Sequence, residues 1–96
     1  MLNTDIKANN VDNIKTNKLF YQYRKAAENG DAEAQSNLGN FYQNGWEVEK
    51  DEVKAFEWYE KSAKQDHGDA QYWLRVLYEF GTGVEKNIGE AIYWYE

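Results

Sequence analysis

The sequence repeats itself with a period of 36 residues, and this period restricts the possible fold more than any other feature of the chain. Residues 25–60 and residues 61–96 are identical at fourteen of 36 positions, including Leu38 with Leu74. Repeats of roughly 20–50 residues are typical of solenoids, in which each unit buries its apolar face against the next. The sequence therefore predicts a stack of repeated structural units.

Each repeat contains two segments with the apolar spacing of an amphipathic helix. Ala34, Leu38 and Phe41 fall at positions i, i+4 and i+7 of the first segment, which places them on one helical face. The second segment has a similar stripe, formed by Ala55, Phe56, Tyr59 and Ala63. The chain contains no proline, so nothing forces a break within these helices. We therefore predict an all-α protein with about five helices.

Residues typical of helix ends bound these segments. Asp31, Asp51 and Asn87 precede predicted helices, where their side chains can accept a hydrogen bond from a free backbone N–H. Asn87 is followed three residues later by Glu90, as in a capping box. His67 takes the place of Asp31 in the second repeat and is also predicted to cap a helix. Glycines follow the first helix of each repeat, where a left-handed backbone is needed.

The repeat boundaries divide the chain into four parts. Residues 1–14 are polar and are predicted to form a disordered tail. Residues 15–30 match the second helix of a partial repeat, residues 31–66 form repeat 1, and residues 67–96 form repeat 2, which is expected to be truncated at its C-terminal end. The last helix is therefore expected to lie at an open end. We expect this end to be covered by another chain, possible self-association included, or to continue into a longer protein.

Composition excludes several classes of function. The chain has no cysteine and a single histidine, His67, which excludes disulfides, Cys-ligated metals and a cysteine nucleophile. The formal net charge of -6 disfavours binding to nucleic acid or to anionic membrane surfaces, because both carry negative charge. No apolar run approaches the roughly 20 residues of a membrane span or resembles a signal peptide. We expect a cytoplasmic protein with no membrane insertion, no nucleic-acid partner, no metal and no cofactor.

No pattern in the sequence is typical of catalysis. There is no Ser-His-Asp set, no phosphate-binding glycine-rich loop and no pair of acids in a suggestive context. The glycine-containing residues 81–83 are interpreted as a turn. The carboxylates within residues 47–52 precede a predicted helix, where acidic residues are favoured without any bound cation. We therefore predict that the chain is not an enzyme.

The repeats resemble those of a known family. The run AENGDAEAQSNLG at residues 27–39 carries most of the resemblance in the first copy. It is followed at the expected spacing by Tyr42, Gly45, Val48, Lys50-Asp51, Ala55, Trp58-Tyr59-Glu60-Lys61 and Ala63. Over residues 19–96 the chain is similar to the Sel-one-like repeat family, which belongs to the tetratricopeptide-like helical superfamily. The resemblance implies a right-handed α-solenoid of antiparallel helix pairs.

The resemblance also implies where a partner would bind. In this superfamily the first helix of each pair lines the concave face, so the first helices are expected to hold the binding residues. These are Ser36, Asn37, Asn40, Gln43, Asn44, Tyr72, Trp73, Val76, Glu79 and Phe80. The two copies differ at these positions and agree at their core positions. A polar row beside an aromatic row suits a peptide or helix from a partner, although Trp73 and Phe80 could instead pack against a neighbouring helix.

Family members act mainly as adaptors, so the resemblance implies a protein–protein interaction scaffold whose partners are other proteins. The alternative is a fragment or regulatory module of a longer subunit, in kinase-linked signalling or in a protein-degradation complex. Two departures from the repeat pattern bear on the fold. Glu47 replaces the loop glycine that repeat 2 keeps as Gly83, and Arg75 replaces the packing glycine Gly39.

Overall fold

A computed structural model describes residues 18–95, which form five helices and contain no strand. Helix α1 covers residues 18–28 of the described chain. The others are α2 (Ala32–Asn44), α3 (Glu52–Ala63), α4 (Gly68–Phe80) and α5 (Ile88–Tyr95). Each helix from α2 onward packs against the next one along the chain. The predicted all-α solenoid of helix pairs is confirmed, while the polar tail predicted for residues 1–14 lies outside the described residues.

The predicted caps hold the N-termini of three helices. The backbone N–H of Ala34 donates to Asp31 Oδ1 over 2.9 Å, and that of Lys54 donates to Asp51 Oδ1 over 3.0 Å. Each bond satisfies one of the N–H groups left free in a first helical turn. Asn87 caps α5 in the same way, through a 3.0 Å bond from the N–H of Glu90.

Two of the predicted caps need correction. His67 occupies the N-cap position of α4 with an extended backbone, but its side chain makes no capping hydrogen bond. The capping box predicted at Asn87 is incomplete, because the Asn87 N–H donates to the carbonyl of Tyr78 over 2.9 Å. That N–H is therefore already satisfied and is not free to bond a Glu90 carboxylate.

The loops that join the two helices of each repeat have the same internal structure. Gly45 and Gly81 both have φ of 69° and close the helix before them. The N–H of Asp51 reaches back to the carbonyl of Tyr42 over 2.9 Å, as the equivalent bond of Asn87 does in the second repeat. The 36-residue period of the sequence is therefore also a period of its backbone hydrogen bonds.

Positive φ values recur at equivalent positions, but the residues there differ. Glu47 has φ of 59°, and its counterpart Gly83 has φ of 72°, so the backbone is left-handed at this loop position in both repeats. A Cβ on Gly83 would collide with the carbonyl oxygen of Glu52, so in the second repeat the lack of space, more than φ, requires glycine. Asp66 has φ of 65° where the preceding repeat has Gly30 at 99°.

The core consists of two clusters joined by Tyr42. The first contains Ala27, Ala34 and Leu38, and it ties α1 to α2. The second contains Ala55, Tyr59, Ala63, Ala70, Leu74 and Leu77, and it joins α3 to α4. Tyr42 packs against both clusters. The predicted apolar stripes are thus the surfaces through which consecutive helices bury each other.

Candidate partner-binding face

One side of α2 and the equivalent side of α4 carry matching rows of residues. Asn37, Asn40 and Asn44 form the row on α2, and Trp73, Val76 and Phe80 form the row on α4. Both rows have the spacing i, i+3, i+7, which places their members on one side of a helix. These six residues, all at least partly exposed, define what we call the α2–α4 face, together with Tyr72, which is exposed one helical turn before Val76.

On α2 the predicted site residues divide between exposed and buried. Ser36 is only 3% exposed, so the prediction that it offers its side chain to a partner is wrong. Asn40 is tied to the core, since its Oδ1 accepts a hydrogen bond from the Tyr59 hydroxyl. Asn44 is exposed, and its Nδ2 donates to the carbonyl of Asn40 over 2.9 Å. Gln43 is partly buried, and its Oε1 has no hydrogen-bond partner within residues 18–95.

Of the predicted site residues on α4, Phe80 and Tyr72 are exposed and the other three are partly buried. Phe80 is 69% exposed and Tyr72 is 52% exposed. Trp73 is partly buried and lies parallel to the Tyr59 ring, with 6.3 Å between the ring centroids. Of the two aromatics for which packing was the alternative, Trp73 contacts the core and Phe80 does not. The exposed rings of Phe80 and Tyr72 are thus the main apolar surface that α4 offers.

Arg75 occupies the position of Gly39 without disturbing α4. Its guanidinium donates to Glu79 Oε1 over 2.9 Å and lies 5.1 Å from the centre of the Tyr72 ring. Both contacts run along α4, at the spacings at which helical side chains meet. Glu79, a predicted site residue, is therefore partly neutralised by a cation of its own helix.

An open groove borders the α2–α4 face beside α1. Its volume is about 670 Å³. The lining residues are Leu19, Tyr23, Asn37, Asn40, Phe41, Gly45, Trp46 and Glu47. Trp46 is 54% exposed and meets Phe41 edge-on at 6.1 Å. Asn37 and Asn40 were predicted to lie at the site, whereas Leu19 and Tyr23 were not, because the helix that contributes them precedes the first complete repeat.

The described residues show no arrangement suited to metal chemistry or membrane insertion. Within residues 18–95 no three His, Cys, Asp or Glu side chains are grouped so that they could hold a metal ion. None of the described helices is both long enough and apolar enough to cross a bilayer.

Burial raises the pKa of the Tyr59 hydroxyl, and burial together with the charges of Glu60 and Glu90 raises that of Tyr78. Both hydroxyls are therefore neutral hydrogen-bonding groups at physiological pH.

Comparison with known proteins agrees with this architecture. The Sel1 repeat family matches the chain at residues 23–31, 32–67 and 68–96. No curated protein sequence matches it. A Sel1 repeat protein from Oxalobacter formigenes is 43% identical with a TM-score of 0.78, over 79% of this chain and 31% of that protein.

Two further solved structures are similar. The protein c5321, a protective antigen present in uropathogenic Escherichia coli strains, displays an SLR fold and is 37% identical, with a TM-score of 0.75. The match covers 79% of this chain and 16% of c5321. Helicobacter pylori cysteine rich protein B is 34% identical with a TM-score of 0.80, over 82% of this chain and 59% of that protein. The chain thus spans only part of each relative, and on the family match and these structures together it belongs to the Sel1 repeat family.

Proposed function

We propose that this chain is a non-catalytic protein-interaction scaffold that binds a partner protein through the α2–α4 face. Sel1 repeats generally mediate protein–protein interactions, and the proposal assigns that role to a particular surface of this chain. The observation that carries it is the exposure of Phe80 and Tyr72, the two large side chains of α4 that lie mostly in solvent. Large exposed aromatic side chains are the residues that most often anchor protein interfaces.

The difference between the two repeats supports the same assignment. Asn37, Asn40 and Asn44 are amides, whereas their counterparts in repeat 2 are Trp73, Val76 and Phe80. Core positions such as Leu38 and Leu74 are identical because they serve the same packing role in both repeats. A face that only needed to be soluble would not require an aromatic side chain as exposed as Phe80, so the second row supports a contact with another molecule.

The chain is proposed to act as an adaptor, in which the solenoid presents this face without chemistry of its own. The alternative, a fragment or regulatory module of a longer subunit in kinase-linked signalling or in a protein-degradation complex, would bind through the same surface. The exposure of Ile88, Ile92 and Tyr93 on α5 supports a second mode, self-association through that helix. Sedimentation over a range of concentrations tests this mode: Ile92→Ser with Tyr93→Ser should lower the fraction of dimer, and a chain that is monomeric at all concentrations would contradict it.

Photo-crosslinking tests the main proposal. The photoreactive residue p-benzoylphenylalanine replaces Phe80 in one form of the chain and Tyr21, which is 60% exposed on α1, in the matched control. Both forms are irradiated in an extract of the native cells. We expect discrete protein adducts from position 80 and none of the same mass from position 21. Equal adducts from both positions, or none from position 80, would contradict binding through this face.

A further inference from the structure

We propose, resting on the function proposed above, that the α2–α4 face takes a peptide segment rich in lysine or arginine that also carries apolar side chains. The argument depends on how charge is distributed between the two kinds of helix in the solenoid. It also depends on which carboxylates near the face have no cation beside them.

Lysines are segregated away from the α2–α4 face. Within residues 18–95 every lysine lies on α1, on α3 or in a loop, and neither α2 nor α4 contains one. These lysines are Lys18, Lys25, Lys50, Lys54, Lys61, Lys64 and Lys86. The only cation on α2 or α4 is Arg75, which is bonded to Glu79 over 2.9 Å. A partner approaching this face therefore meets no unpaired positive charge from either helix.

Carboxylates remain on the same side. Glu33 and Asp69 occupy equivalent positions in the first turns of α2 and α4, and both are exposed. Neither forms an ion pair within residues 18–95, unlike Glu79. Each lies four residues before the first member of its row, Asn37 or Trp73, so both acids stand at one end of the face. Glu47 adds a further exposed carboxylate beside the groove.

The combination selects the chemistry of the partner. Phe80 and Tyr72 offer apolar surface that an aliphatic or aromatic side chain can cover. The surrounding carboxylates attract lysine or arginine and repel aspartate or glutamate, which steers association and fixes the register. The aromatic faces can also accept a cation, as the contact between Arg75 and Tyr72 already shows. An acidic partner would gain the apolar contacts but would meet repulsion from Glu33 and Asp69.

Selection from a random 16-residue peptide library displayed on phage tests the inference, with the full 96-residue chain as the target. We expect the enriched peptides to carry net positive charge together with apolar residues. Their affinity should fall at least about ten-fold with Phe80→Ser, as for an interface anchor. It should fall about three- to ten-fold when Glu33→Gln is combined with Asp69→Asn, since each exposed charge contributes modestly.

Matched control variants keep the test specific to this face. Tyr21→Ser removes a comparably exposed aromatic from α1, and Glu57→Gln removes an exposed carboxylate from α3. Each should change the affinity less than about two-fold if cationic peptides are not simply attracted to the net negative charge of the chain. Circular dichroism checks folding, and Tyr72→Ser replaces Phe80→Ser if the latter is not helical.

The outcomes separate the inference from the function on which it rests. Neutral or acidic peptides that bind and are lost with Phe80→Ser would overturn the cationic inference and leave the binding face standing. Peptides whose affinity is unchanged by both Phe80→Ser and Tyr72→Ser would overturn both. Cationic peptides weakened equally by Glu57→Gln and by the Glu33 and Asp69 pair would also overturn the inference, because general charge attraction would then account for binding.

Discussion

At the scale of single residues, Gly39 and Tyr59 determine how closely α2 and α3 approach. Tyr59 is fully buried, and a Cβ added to Gly39 would lie 2.7 Å from its ring. The ring occupies the space that any side chain at position 39 would need. The Tyr59 hydroxyl donates a hydrogen bond to Oδ1 of Asn40, which follows Gly39 on α2. A missing side chain on α2 thus allows a large ring of α3 to lie at the centre of the solenoid.

Gly39→Ala should destabilise the chain by about 1–3 kcal/mol, since overpacking a tight contact forces the ring or a helix to move. The matched control is Gly68→Ala, where nothing lies within 4 Å of an added Cβ. That substitution should be neutral or stabilising by up to about 1 kcal/mol, because alanine favours a helix over glycine. Urea unfolding followed by circular dichroism measures both free energies. Equal effects of the two substitutions would contradict the packing role of Gly39.

Burial of Tyr59 also predicts a dependence of stability on pH. Burial raises the pKa of its hydroxyl above the value of about 10 that an unfolded tyrosine has. The folded state then keeps a proton that the unfolded state loses, so the contribution of Tyr59 to the free energy of unfolding is constant below about pH 10 and falls as the pH rises above it. Tyr59→Phe should reduce this alkaline slope, and Tyr21→Phe, an exposed ring, should leave it unchanged. An unaltered slope in Tyr59→Phe, measured by urea unfolding between pH 8 and 11 or so, would contradict the assignment.

Residue-scale predictions from the sequence succeeded where the repeat itself supplied the comparison. The 36-residue period aligns Gly39 with Arg75 and Glu47 with Gly83, so each difference between the repeats could be recognised in the sequence. The prediction that Ser36 is exposed was wrong, because its burial depends on the helices that pack around α2. A polar side chain does not indicate such burial in the sequence. The left-handed backbone of Asp66 was not predicted, because its alignment with Gly30 is the only sign of it in the sequence.

At the scale of helices, the ends follow from local chemistry and could therefore be predicted. Asp31, Asp51 and Asn87 cap the helices that their positions indicated, because an N-cap needs only a short side-chain oxygen and an extended backbone. The bond from the Asn87 N–H to the Tyr78 carbonyl was not predictable in this way, since it joins a loop to the preceding helix. The uncapped exception is His67.

Restoring the missing cap should stabilise α4. The backbone of His67 already has the extended N-cap conformation, with φ of -78° and ψ of 113°. His67→Asp should raise the free energy of unfolding by about 0.5–1 kcal/mol, through a hydrogen bond to the first turn and attraction to the helix dipole. His67→Ala should change it little, because no capping bond is lost. Urea unfolding distinguishes the two, and a His67→Asp variant no more stable than His67→Ala would show that the first turn cannot use the carboxylate.

At the scale of the whole molecule, stacking converts a repeated sequence into a continuous core. The fold was predictable because period, stripe and cap all indicate the same helix pairs. The binding face was predictable only as a set of positions, since exposure is a property of the assembled stack. Phe80 and Trp73 occupy one row, yet Phe80 lies in solvent while Trp73 stacks on Tyr59. The residue types alone do not distinguish these outcomes.

The two core clusters predict that stability is distributed locally along the solenoid. Leu38 belongs to the cluster that joins α1 to α2, and Leu74 belongs to the cluster that joins α3 to α4. Both side chains are fully buried, so Leu38→Ala and Leu74→Ala should each cost about 2–5 kcal/mol. In a solenoid each unit contacts only its neighbours. Leu38→Ala should therefore speed amide hydrogen exchange mainly in α1 and α2, and Leu74→Ala mainly in α3 and α4.

Each leucine variant is the control for the other, because the residue type, the substitution and the burial are the same. Native-state hydrogen exchange resolved by helix measures the difference, since local opening and global unfolding give different patterns of protection. If both variants accelerated exchange equally in all five helices, the chain would unfold as one cooperative unit. The contacts of Tyr42 with both clusters would then be strong enough to couple them. Adding Tyr42→Ala to either leucine variant should in that case confine the faster exchange to the helices around the substituted leucine.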